Sequence, residues 1–193
     1  MEMKNLIQRL TSISLLFVPI FAYAHPGHYH EHEAGFWTGF IHPFTGLDHL
    51  MMALAFGVLM WTASKQWKLT GALSLIVALV VGFVLGAKTT VFTDFAEYGI
   101  VASLIILTVA LWMKSRVIFP IAVAFLATFH GVAHGTELAN QGHWLLQILG
   151  MLCAMSALYI FGLILGKFII SYIPYGKKIV GTLAAIVAII GLA

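Results

Sequence analysis

The stretch Phe36–Ala63, FWTGFIHPFTGLDHLMMALAFGVLMWTA, decides the fold. It is longer than the roughly 20 apolar residues that cross a bilayer, and Asp48 is its only charged side chain. Its apolar residues run on without alternating, whereas the strands of a membrane barrel alternate. In lipid no water can satisfy the backbone, so a helix is the remaining answer. Within this run stand His42, Asp48 and His49. Titratable side chains at such depth are costly and persist mainly where they do a job. Pro43 lacks an N–H and Gly46 lacks a Cβ, so the opening part of the run is expected to kink or re-enter.

Five more apolar runs follow, at about 69–87, 96–113, 117–134, 144–166 and 179–193. The whole chain is 61% hydrophobic and 9% charged, against roughly 25% charged in ordinary soluble domains. The expected fold is therefore an all-α polytopic membrane protein of about six transmembrane helices. The last run is short for a full span. Before the first run, Lys4 and Arg9 precede an apolar stretch from Leu10 to Phe21 and the small-residue site Ala22-Tyr23-Ala24. That is the layout of a cleavable secretory signal peptide; its apolar part is short for an uncleaved span. The domain reading is a signal peptide over 1–24, a His-rich extracytoplasmic tail over 25–35 and a six-helix membrane domain over 36–193.

Charge sets the expected orientation. Lys65 and Lys68, then Lys114 and Arg116, then Lys167, Lys177 and Lys178 fall in alternate gaps between runs. By the positive-inside rule those gaps are cytoplasmic, which places the mature N-terminus outside, in agreement with the signal peptide. The expected location is a bacterial inner membrane with the N-terminus in the periplasm. Every histidine and every acidic residue of the mature chain then lies on the outer side or in the outer part of a span. A net charge of +3 does not imply nucleic acid, because the basic residues form no patch with aromatics.

Two motifs carry chemistry. In the first, His42 and His49 stand seven apart, nearly the same face of a straight helix but about 10 Å apart along it, with Asp48 beside His49. Broken helices at membrane depth are one way to build an ion site. The plainer reading is an interfacial helix start capped by Thr45 or Asp48. In the second motif, Phe129-His130-Gly131-Val132-Ala133-His134-Gly135-Thr136-Glu137, the two histidines and Glu137 share one helical face. An i, i+4 histidine pair chelates a divalent metal. No acid follows His130, so the metalloprotease pattern is absent. Gly131 and Gly135 are spaced to let helices approach closely; the plainer reading makes the whole motif a packing face, with Glu137 a simple loop carboxylate. The expected metal donors are His42, Asp48, His49, His130, His134 and Glu137.

His25, His28, His30 and His32 form a tract that could collect metal without selecting one; an inert solvated tail is the other reading. Trp37, Trp61, Trp67, Trp112 and Trp144 fall near run ends, as in an interfacial aromatic belt. Met51, Met52, Met60, Met151 and Met155 read as packing rather than copper ligands. The lone Cys153 is expected to be buried packing.

The pattern H-x5-D-H (His42, Asp48, His49) with F-H-G-x-A-H-G-x-E (Phe129 to Glu137), together with His25-Pro26-Gly27-His28 after a signal, resembles the HupE/UreJ family of nickel permeases. The resemblance covers essentially the whole chain. It implies uptake of Ni2+, with some relatives moving Co2+, for hydrogenase or urease maturation, by a protein that is not an enzyme. It implies no permanent cofactor, the ion being cargo. The residues themselves indicate a divalent cation entering from outside; imidazole and carboxylate suit Ni2+ and Co2+ better than Cu(I). Two other classes use the same residue types: an intramembrane metal-dependent hydrolase, and a metal-binding accessory protein without a pore. The expected partners are the divalent ion and the lipid bilayer. The sequence is silent on oligomeric state.

Overall fold

The computed structural model describes residues 35–89, 93–113, 118–138 and 143–191. The expected signal peptide, the histidine tail and the Lys114/Arg116 gap lie outside the described residues. Among those described, the structure is entirely helical: α1 (Phe36–Thr45), α2 (Leu47–Met60), α3 (Lys65–Lys88), α4 (Thr93–Trp112), α5 (Ile118–Leu138), α6 (Trp144–Tyr172) and α7 (Gly176–Ile190). Helix α3, the segment Phe95–Trp112 and α6 are each long and apolar enough to cross a membrane; α1 and α2 make a fourth if they count as one broken span. The chain is a membrane protein.

The first apolar run is thus two helices, bent by 79°. The break is at Gly46, whose extended backbone (φ −85°, ψ 116°) ends α1 and starts α2. Pro43 sits inside α1. Neither Thr45 nor Asp48 caps α2: Gly46 is the N-cap and no side chain bonds there. The Thr45 hydroxyl donates instead to the His42 carbonyl at 2.8 Å.

Helix α2 touches every other helix and forms the centre of the bundle. Met52, Ala53 and every residue from Ala55 to Met60 are buried, as befits a helix that is apolar all round. The surrounding helices turn apolar side chains outward; Val77, Val81, Phe125, Phe161 and Ile164 are exposed, the pattern of a lipid-facing surface. Cys153 is also exposed, against the expectation of a buried thiol. In a membrane protein the outer face is as apolar as the core, so an apolar run does not say which side of its helix points inward.

Helix α5 lies between α3 and α4. Its contact with α3 is backbone to backbone: a Cβ on Gly131 would strike the Leu79 carbonyl and one on Gly135 the Phe83 carbonyl. From the other side, Gly82 and Gly86 face the carbonyls of Thr128 and Val132. Two small-xxx-small faces interlock here, the close approach such spacing permits.

The far end of α2 collects positive charge. Lys177 Nζ donates to Thr62 Oγ1 at 3.2 Å, and Lys68 Nζ lies 4.2 Å over the Trp61 ring. The Tyr159 hydroxyl donates to the Lys68 carbonyl at 2.8 Å, tying α6 to the start of α3.

Candidate metal site

At the opposite end of α2, histidines from three helices meet. The bend at Gly46 folds α1 back over the start of α2, so that the His42 and His49 rings are 5.4 Å apart. A straight helix would separate these residues by about 10 Å of rise. From the other side α5 brings His130 and His134 up to the same place: the His42 and His134 rings are 4.5 Å apart, and the His49 and His130 rings 4.8 Å apart. Because Gly131 and Gly135 occupy the α3-facing side of α5, the neighbouring histidines are left to face α1 and α2. The histidines and the close-packing glycines therefore occupy two different sides of one helix.

The nitrogen atoms converge as well as the rings. His49 Nε2 and His134 Nε2 are 2.5 Å apart. On its other edge, His49 Nδ1–H donates to Asp48 Oδ1 at 2.9 Å. A carboxylate on one imidazole nitrogen orients the ring and leaves the other nitrogen's lone pair for a ligand. Asp48 Oδ2 is 3.7 Å from His130 Nε2, and Glu137 Oε2 is 3.7 Å from His134 Nδ1; both exceed hydrogen-bond length. His130 is fully buried, yet neither of its ring nitrogens has a hydrogen-bond partner, and His134 Nδ1 also lacks one. Buried polar atoms are nearly always paired, and those that are not call for a reason such as an ion.

The donors fit a transition metal. His42, His49 and His134 can each offer one atom such that all three lie within 4.8 Å of one another, and so can Asp48, His49 and His130. Donors on one ion at bonds of about 2.1 Å stand up to ~4.2 Å apart, so each group closes on an ion with shifts of tenths of an ångström. Nitrogen and carboxylate oxygen without thiolate suit Ni2+, Co2+ or Zn2+.

Access is uneven. His42 lines an open pocket of about 570 Å³ with Gly35, Thr38 and Thr45. His49, His130 and His134 are buried, whereas the Asp48 side chain is 32% exposed and that of Glu137 63%. All six residues singled out in the two motifs thus lie in or beside one cluster, with Glu137 at its rim. The four tail histidines are outside the described residues.

Sequence reasoning passed over Gln147. Its side chain is fully buried, and neither amide atom has a hydrogen-bond partner. The backbone of α6 at Gln147 lies directly against Gly39, one turn before His42. The available signal was a lone amide inside an otherwise apolar run.

The family model described as HupE / UreJ protein matches residues 13–193. The chain belongs to the HupE/UreJ family. Protein HupE of Rhizobium leguminosarum bv. viciae is 28% identical over an alignment of 158 positions that covers 79% of this chain and 80% of that protein. No solved structure matches. Both motifs that carried the resemblance lie within the part matched to the HupE/UreJ family.

Proposed function

We propose that this HupE/UreJ protein is a permease that admits a divalent transition-metal ion, Ni2+ before Co2+, from the outer side of a bacterial inner membrane for the maturation of hydrogenase or urease. One observation carries the reading: imidazoles from α1, α2 and α5 and the Asp48 carboxylate converge at the end of the bundle away from Lys68 and Lys177. In this reading six spans follow a cleaved signal peptide, α1 and α2 together forming the first. His25, His28, His30 and His32 gather ions at the periplasmic mouth, and Glu137 at the rim hands them to His134 and His42.

The chain carries no P-loop motif, so the ion moves down its own gradient and the membrane potential, the latter worth about 2.3 kcal/mol per charge per 100 mV. The protein is not an enzyme here and keeps no cofactor. A carrier has to release its cargo, so the ion should exchange easily. Three protein donors around one ion would also suit a catalytic zinc, and the group Asp48, His49 and His130, with its partly exposed carboxylate, favours that second reading to this extent. Metal that survives purification and dialysis would support the hydrolase; metal that washes out supports transport.

The deciding experiment is radiolabelled nickel uptake by cells carrying the wild type, Asp48→Asn or His130→Ala. Both variants should lose uptake while reaching the membrane at normal levels. Normal transport by both would exclude this cluster as the path.

A further inference from the structure

We infer that the cluster holds its ion at two successive positions that share His49, and that the cargo crosses it by exchanging one set of partners for the other. This rests on the reading of the cluster as a metal site. The donors separate into two groups of three, not one group of five: His42, His49 and His134 on one side, Asp48, His49 and His130 on the other. His49 belongs to both, and it presents a different edge to each. Its Nε2 faces His134 Nε2, and its Nδ1 faces Asp48 Oδ1.

The two groups also differ in depth. His130 precedes His134 by one turn of α5, a rise of about 6 Å, on the side away from Glu137 and the helix end at Leu138. The first position touches the open pocket through His42, whereas the second combines the fully buried His130 with the partly exposed Asp48 carboxylate. An ion at the first position is bound through His49 Nε2 while Nδ1–H donates to Asp48. At the second it is bound through Nδ1, and the proton that Nδ1 gives up is regained at Nε2, so the ring stays neutral. His49 cannot serve both positions as a neutral ring, and two dications a few ångströms apart repel strongly. One ion at a time therefore occupies the pair. An ion shared between two alternative sets of three donors is held by neither with all five, which eases release into a path.

The test uses the purified full chain in detergent with His25, His28, His30 and His32 replaced by alanine so that the tail adds no sites, with Ni2+ titration calorimetry for stoichiometry and Co2+ absorption for the ligand set. This background, taken as wild type for the cluster, should bind one ion per chain. His42→Ala and His130→Ala should each still bind one, only about two- to threefold more weakly because one of the two donor sets stays whole, with Co2+ spectra that differ from each other. His49→Ala, which takes a donor from both positions, should lose measurable binding. His42→Gln and His130→Gln, closer in volume, repeat the comparison should an alanine variant fail to fold. Two ions bound at once by the wild type, abolished binding in either single variant, or identical spectra in the two would each overturn the inference. These outcomes are independent of uptake. A chain that shows the two spectra but carries no nickel in cells refutes the permease and leaves the paired positions standing.

Discussion

Gly46 is the residue on which the site turns, and its need for glycine is spatial. Its backbone lies in a region open to any L-residue. A Cβ there would stand 2.8 Å from His49 Nδ1 and 3.0 Å from Asp48 Oδ1, inside the carboxylate–imidazole pair. Gly46→Ala should therefore keep helicity and membrane insertion but turn the His49 ring, weakening Ni2+ binding about 10- to 100-fold, the range seen when the groups that orient a ligand are disturbed. Calorimetry beside circular dichroism checks this; unchanged affinity would mean that the Asp48–His49 contact does not set the ring.

At the scale of helices, the sequence exposed some of this and hid the rest, for physical reasons. The pairing of His130 with His134 was legible because α5 is continuous and period 3.6 puts i and i+4 on one side. The relation of His42 to His49 was not. Seven residues on a straight helix place two rings far apart, and Pro43 with Gly46 announces a break without giving its angle. The 79° bend converts that separation into ring contact. The glycines of α5 were read as a close-packing face, but their counterpart in α3, Gly82 and Gly86, was not recognised, since spacing in one helix does not name its partner. That contact aligns the histidine-bearing helix, and it makes a prediction of its own. A methyl at Gly82 meets the Thr128 carbonyl, and overpacking of this kind costs about 1–3 kcal/mol. Gly82→Ala should lower the unfolding midpoint in detergent and weaken metal binding only indirectly, with the Co2+ spectrum of the remaining bound fraction unchanged. An unaltered midpoint would mean that the backbones of α3 and α5 are not in contact.

Taken whole, the bundle is polar along the axis of α2. Histidines, Asp48 and Glu137 gather at the end where α2 begins, and Lys68 and Lys177 meet Trp61 and Thr62 at the end where it stops. Basic residues concentrate on the cytoplasmic side of membrane proteins; under the permease proposal this polarity would turn the histidine cluster outward, and the inside-negative potential would favour inward movement of a dication. The orientation can be read chemically, because the single native thiol, Cys153, faces outward from α6 and can be replaced by serine without touching the core. In that background, Trp37→Cys, at a side chain 68% exposed on α1, should react with a membrane-impermeant maleimide in intact spheroplasts. Thr62→Cys should react only once the membrane is permeabilised. The reverse pattern would place the histidines in the cytoplasm and leave export, not uptake, as the direction the cluster serves.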